Sequence, residues 1–521
     1  MRVDDLFYLE PPRFYQQSWF MYAVAAAISL LFSIIVNAQE VVINSDAICY
    51  LGSAETIGKL GLKAAMQLCD QAKWPLYSLL IYGTSKILFV TPTFAAQIIN
   101  ALLSVLSVSA FILIVKELGG TTRVQWLAAG VILLSHEFNS VREYIVRDHG
   151  FWAFYLLSIW LVLKYFRRPR GLVALAWNVS LMIATLFRIE GVIFLLAIPC
   201  LSWLCFRYSC FQRAKFFFTL YTPIILMGVL ISAWLLIHPQ QTLQALGRVS
   251  EVTNQFQHGF SMMLERYRTT EANLAQHVLT SDSAKEAGMV LFAMLIAWYI
   301  VAVWANVSWV YGGLIIYAWW RRAAAWSNTS TLMVAGYIFV NLIITLSFLL
   351  EHLFLSKRYL IALSLVLMLY VPFALNDLWE RRRDLHNRVM LSIACFFILI
   401  SALGGILDFG HSKQYIRDAG RWLDHNVPSQ ASLYSNDYHV MYYSHHFGNA
   451  IFQTIRNNWR IETIADDKWQ QFDYLALRLG SHDDPAIIAV TKKINTAPIE
   501  TFSNKRGDRV VIYKIVAVPA D

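Results

Sequence analysis

Apolar runs long enough to cross a bilayer recur along the chain, each roughly 15 to 23 residues long and closed by a short polar segment. The first covers Trp19 to Ala38. Later ones cover residues 93–115, 122–137, 149–166, 171–187, 190–206 and 216–237, then 288–319, 329–350, 359–375 and 389–406. Each is predicted to be a spanning helix, which makes the fold an all-α polytopic membrane bundle. The run from Leu76 to Val90 contains Lys86 and is short for a span, so it is expected to lie along the interface.

Near Gly410 the pattern changes. Short β-rich stretches appear in ASLYS (431–435), DYLALRL (473–479) and RVVIYKIV (509–516), with a helical pattern in YIRDAGRWLDHN between the first of them and the bundle. The expected organisation is therefore a transmembrane domain over 1–406 and a small α/β domain over 407–521. The polar segment 238–287 is long for a connection in this chain and reads as a lid or as an amphipathic helix on the membrane.

Composition agrees with the pattern: 57% of the 521 residues are hydrophobic and 15% are charged. The net charge of +9 does not mark a nucleic-acid binder, because Lys and Arg collect in short loops between apolar runs. Clusters at 164–170, 207–215, Arg321-Arg322 and 380–388, with Lys116 and Arg123, fall on one face if the 76–90 run does not cross. That gives about eleven spans, a cytoplasmic N-terminus and a C-terminal domain on the periplasmic or extracellular side, as in a multi-pass bacterial inner (cell) membrane protein. The first run exceeds the length of a signal-peptide core and lacks a basic leader, so it is read as an uncleaved anchor.

Sorting the sequence by face sends Asp46, Glu55, Lys73, Arg142, Glu143, Arg147, Asp148, Arg188, Glu190, Glu351, Lys357 and Arg358 to the outer side. No Asp, Glu, Lys or Arg stands in the middle of a proposed span, which weakens the alternative reading as a lipid or glycan transporter or flippase. An outer cluster of acids and bases suits chemistry on a lipid-linked substrate: a phosphate needs Arg or Lys, and an incoming hydroxyl or amine needs a carboxylate to take its proton. Asp46 and Asp148 are the carboxylate candidates. Plainer roles stand beside these. Asp148 begins a helix and is favoured there electrostatically, Arg188 and Glu190 can pair within their own turn, and His136, His149 and His352 read as interfacial. Cys49 and Cys69 share the first outer loop and are able to form a disulfide in an oxidising compartment. No cysteine spacing marks a metal site, and no Walker, Rossmann or zinc motif is present.

The order of several motifs carries a resemblance. Asp46 precedes Tyr50 in NSDAICYLGSAETI, Lys73-Trp74-Pro75 leads into LYSLLIYG, and Asp148 ends EYIVRD at the start of a spanning run. Two further matches are FRIEG at 187–191 and the Arg358-Tyr359 pair in SKRYL. Over about residues 1–405 the chain resembles the C-type glycosyltransferases (GT-C), in particular the lipid A aminoarabinose transferase and protein O-mannosyltransferase branches.

That resemblance implies a polyprenyl-phosphate-linked sugar donor, a glycan, lipid or protein acceptor, and inverting transfer at the outer face. It implies Asp46 and Asp148 as catalytic residues, and Lys73, Tyr50, Arg147, Arg188, Glu190, Arg358 and Tyr359 as substrate-binding ones. Ala47 stands where those families often carry a second acid, so no acidic metal site is expected at that spot. No cofactor is required; a divalent cation stays open as an alternative but has no support in the sequence.

Overall fold

The computed structural model describes residues 18–237, 249–446, 470, 472–480, 494 and 496–515. Most of it is helical. In chain order the helices are α1 (Ser18–Gln39), α2 (Ser45–Leu60), α3 (Leu62–Met66), α4 (Leu76–Leu88), α5 (Pro92–Glu117), α6 (Thr122–Leu133) and α7 (His136–Ser140). They continue with α8 (Asp148–Arg167), α9 (Gly171–Phe187), α10 (Gly191–Cys200), α11 (Cys210–Ile237), α12 (Val249–His277), α13 (Ala287–Val307) and α14 (Trp309–Arg321). The last are α15 (Asn328–His352), α16 (Lys357–Leu367), α17 (Val371–Glu380), α18 (Leu385–Ile406), α19 (Gln414–Asn426) and α20 (Tyr438–Ser444).

Seven helical stretches among the described residues are long and apolar enough to cross a membrane: 19–39, 92–117, 210–234, 284–307, 328–352, 357–380 and 385–406. Shorter apolar helices cover 171–187 and 191–204. The chain is a polytopic helical membrane protein with a small C-terminal sheet region. At 13 residues α4 is about 20 Å long, too short for a bilayer core of about 30 Å.

Two expected spans are broken. The run 288–319 is two helices, because Ser308 adopts φ 75° and its hydroxyl caps α14 by accepting from Tyr311 N. The run 122–137 stops as α6 at Leu133, and α7 starts a separate turn at His136.

The chain forms two compact units. The first comprises residues 1–35, 98–142 and 147–406, and the second 36–97, 143–146 and 407–521. The first loop, expected within the transmembrane domain, thus groups with the tail. Its links are specific: Ile43 N donates to Tyr443 Oη at 3.2 Å, Ile145 N donates to Asn44 Oδ1 at 2.8 Å, and α2 packs against α20.

In the second unit the described residues of the tail form a four-stranded sheet in the order β1 (Leu433–Ser435), β2 (Tyr474–Leu479), β4 (Arg509–Lys514), β3 (Glu500–Ser503). β1 runs parallel to β2, and β4 runs antiparallel to both β2 and β3. Alternate residues Leu475, Leu477 and Leu479 of β2 pack with Tyr434, Val511 and Tyr513 in one core, as the two-residue repeat of a strand requires. Cys49 and Cys69 are disulfide-bonded, with Cα atoms 6.2 Å apart, which ties α2 to the segment ahead of Lys73.

In the first unit α8 and α9 pack along their length, and Tyr155, Trp177 and Tyr337 are fully buried there. The segment expected as a lid or surface helix contains α12, which packs against α13 and α15; residues 238–248 lie outside the described residues. Arg266 Nη1 donates to the carbonyl of Glu351 at 2.9 Å, and Tyr267 Oη donates to that of Gly288 at 2.6 Å.

Candidate functional site

Two glycines shape the charged centre of the first unit. Gly150 stands in the first turn of α8, where a Cβ would lie 2.4 Å from the Phe187 ring at the end of α9. Gly191 starts α10 where a Cβ would lie 2.5 Å from Thr185 Oγ1 and 2.8 Å from its backbone nitrogen. These close approaches bring the turn Arg188-Ile189-Glu190 against the start of α8.

Arg188 donates through Nη1 to Asp148 Oδ1, through Nη2 to Glu190 Oε1, and through Nε to the same Glu190 oxygen. All three side chains are largely buried, with relative exposures of 12% for Arg188, 6% for Asp148 and 24% for Glu190. The Arg188 guanidinium also lies 4.6 Å from the Tyr359 ring centre. Burial alone pushes the Glu190 carboxyl up, but Arg188 and the hydrogen bonds outweigh it and hold Glu190 below the usual carboxylate range. Burial likewise opposes the charge on Arg188, while Glu190 and Asp148 raise its pKa well above the ordinary value.

Arg147 and Arg358 act on Asp148 from nearby, so three guanidiniums contribute to the field at this carboxylate. Arg147 Nη1 is buried without a hydrogen-bond partner among the described residues. Buried donors left unpaired are costly, and an anion's oxygen would satisfy this one.

Arg188, Glu190 and Arg358 also line a pocket that encloses about 420 Å³ of empty space, its open mouth included. Its aromatic wall is Phe151, Trp152, Phe194, Phe348 and Tyr359, and Asn341 and Thr345 of α15 are its uncharged polar residues. Behind them a hydrogen-bonded ladder runs into the bundle, from Tyr299 through Thr345 and Asn341 to Tyr155. Tyr337 continues it to Ser158 and Trp177.

The second unit carries the other expected site residues. Asp46 sits in the first turn of α2, partly buried, with Gln71 Nε2 donating to its Oδ1 at 3.5 Å. Tyr50, one turn on, is buried edge-to-face against Tyr77 with ring centres 5.1 Å apart. Lys73 pairs with Asp70 at 3.2 Å.

Residues 58–242 match the profile of a family described as dolichyl-phosphate-mannose-protein mannosyltransferase. No curated protein matches the chain as a whole sequence. Among solved structures, ArnT from Cupriavidus metallidurans bound to undecaprenyl phosphate is similar with a TM-score of 0.54 and 11% identity, covering 97% of this chain and 99% of that one. The archaeal oligosaccharyltransferase AglB from Archaeoglobus fulgidus, in complex with an inhibitory peptide and a dolichol-phosphate, has a TM-score of 0.53 at 11% identity, covering 89% and 70%. The mycobacterial arabinofuranosyltransferase AftD has a TM-score of 0.51 at 15% identity, covering 97% and 40%. The chain has the GT-C fold.

Within the GT-C bundle the outcome for the expected residues is uneven. Asp148, Arg188, Glu190 and Tyr359 form one centre, with Arg147 and Arg358 acting on Asp148, while Asp46, Tyr50 and Lys73 lie in the second unit. Arg142, expected at the outer surface, is buried instead. Its Nε donates to Asn139 Oδ1 at 2.7 Å, and Nη1 reaches Ser29 Oγ and Ser33 Oγ at 3.2 and 3.1 Å. His149, expected to be interfacial, is buried with Nε2 3.1 Å from the Val141 carbonyl oxygen. Lys357 pairs with buried Glu137 at 2.9 Å. The residues missed from the sequence are Asn341 and Thr345, whose only signal was their spacing from Tyr337 on one face of an apolar helix.

Proposed function

We propose that this GT-C protein transfers a sugar from a polyprenyl-phosphate donor to a glycan, lipid or protein acceptor of the cell envelope, at the outer face of the membrane. The observation that carries the reading is the buried arginine-rich centre, with an Arg147 Nη1 that has no hydrogen-bond partner among the described residues, beside an aromatic pocket. A lipid phosphate supplies an anionic oxygen for that donor in a setting already lined by guanidiniums.

In this reading Arg147 and Arg358 hold the phosphate, with Arg188 fixed as their neighbour by its two carboxylates. The acceptor's oxygen or nitrogen attacks the anomeric carbon, the bond from that carbon to the phosphate oxygen breaks, and polyprenyl phosphate leaves with the electron pair. The configuration inverts. Asp46 takes the acceptor's proton, because Asp148 is committed to Arg188 and an ion-paired carboxylate is a poor base. Lys73 and Tyr50 support the Asp46 segment.

The test is transfer from undecaprenyl-phosphate sugars, in membranes, by wild type and Asp46→Asn. Loss of a general base lowers turnover by roughly 10²- to 10⁴-fold with binding retained. Undiminished transfer by Asp46→Asn removes Asp46 from the chemistry, and no transfer from any lipid-phosphate sugar by wild type removes the proposed function.

A further inference from the structure

Asn341 lies midway along α15 at 3% exposure, in the wall of the pocket. Its Nδ2 donates to the Tyr337 carbonyl at 2.8 Å and to Tyr155 Oη. The Tyr337 carbonyl is only an acceptor, so the amide is fixed with nitrogen toward it, and Oδ1 is the atom left over. Oδ1 makes no hydrogen bond among the described residues. Thr345, one turn along, has no such freedom: its hydroxyl donates to the Asn341 carbonyl at 2.7 Å and contacts Tyr299 Oη at 2.6 Å.

The pocket thus combines charge contributed by Arg188, Arg358 and Glu190, an aromatic wall, and one pre-oriented acceptor held by a buried network. An isoprenoid chain has no donor to offer Oδ1 and would leave it desolvated, at a real cost. A sugar offers hydroxyl or N–H donors, together with C–H faces for the aromatic wall.

Resting on the proposed function, we infer that this pocket receives the sugar of the donor rather than its lipid tail, and that Asn341 Oδ1 accepts a hydrogen bond from a hydroxyl or amine of that sugar. Tyr155 is the positioning residue that holds the amide.

The experiment compares two probes on the full-length protein in detergent: bare undecaprenyl phosphate, and undecaprenyl phosphate carrying glucose, mannose or arabinose. For Asn341→Leu the affinity for bare lipid stays at the wild-type value, and that for the sugar-bearing lipid preferred by wild type falls about 5- to 100-fold, the range for stranding a buried polar group. Asn341→Asp keeps an acceptor at this position and retains most of the difference between the two probes. Tyr155→Phe loosens the amide without touching the ligand and gives a smaller loss confined to the sugar-bearing probe; it decides the matter if Asn341→Leu does not fold. Equal loss on both probes, no loss on either, or tighter binding of bare lipid by Asn341→Leu overturns the assignment while leaving a lipid-phosphate enzyme intact. Failure of wild type to bind bare undecaprenyl phosphate overturns the proposed function and this inference with it.

Discussion

Replacing Arg188 by Met keeps the volume and removes the charge between Asp148 and Glu190. The two carboxylates, at 6% and 24% exposure, then face each other's field without the cation that pairs them. Breaking a buried ion pair from one side costs about 3–5 kcal/mol, because the remaining charge stays desolvated. With an unfolding entropy of about 2 cal/mol/K per residue, a unit of this size loses on the order of 3–8 °C of melting temperature. Tryptophan fluorescence of the purified protein in detergent reads this directly.

The variant also has a pH signature. Without Arg188, burial is the largest influence left on Glu190 and outweighs the smaller effect of Arg147, so its folded pKa lies above its unfolded value. The penalty of keeping it ionised is therefore absent below the unfolded pKa and grows as pH rises through the folded one. The melting deficit of Arg188→Met shrinks at pH 5 relative to pH 8. A double variant, Arg188→Met with Glu190→Gln, leaves Asp148 facing Arg147 and Arg358 and recovers part of the loss. If Arg188→Met melts with wild type, or the double variant is as unstable as the single one, the ion-paired centre is not what holds these elements together.

Three further outcomes follow from the structure. Cys49→Ser with Cys69→Ser opens a loop with a sequence separation of 20 and lowers stability by ~3 kcal/mol, seen as faster proteolysis within residues 45–75. Burial and the neighbouring Glu143 carboxylate raise Glu40 to about 7 against a Gln97 hydrogen bond, so its stabilising proton is present below about pH 4.5 and lost as pH rises through 7; Glu40→Gln melts higher than wild type at pH 8 and equal to it at pH 4.5. The gain is bounded by ~3 kcal/mol and reduced by solvent screening, since the side chain is partly exposed. Gly150→Ala forces a Cβ into the Phe187 ring and costs ~1–3 kcal/mol with weakened undecaprenyl phosphate binding, whereas Gly83→Ala, with nothing within 4 Å, does neither in the same assays.

The bundle was legible because a spanning helix needs a continuous apolar run, and such runs survive any tertiary arrangement. The helix at 171–187 and the strands at 433–435, 474–479 and 509–514 fall within the expected segments. The break at Ser308 was not legible: the run is apolar on both sides, and a left-handed serine leaves no mark in hydropathy. Charge sorting by face brought Asp148, Arg188, Glu190 and Arg358 to one side without showing that Arg188 bridges a partner 40 residues away and another two residues away. It also misplaced Arg142, since a rule about loops cannot see that a loop residue turns inward. Asn341 escaped because only ionisable groups were counted as polar within the spans, and an uncharged amide with fixed hydrogens is equally directional.

Arg142 has a consequence for how the bundle assembles. Its guanidinium has no carboxylate partner among the residues described around it; it is met by Ser29 and Ser33, four residues apart and therefore one turn apart on α1, near the middle of that helix. If α1 slid by one turn along its neighbours, one serine would leave the fork and apolar side chains would replace it, stranding donors where no water can substitute. Leucine-rich surfaces tolerate such slips because one apolar turn packs much like the next. A cation read by two hydroxyls does not, so this side chain opposes a one-turn slip of the first helix.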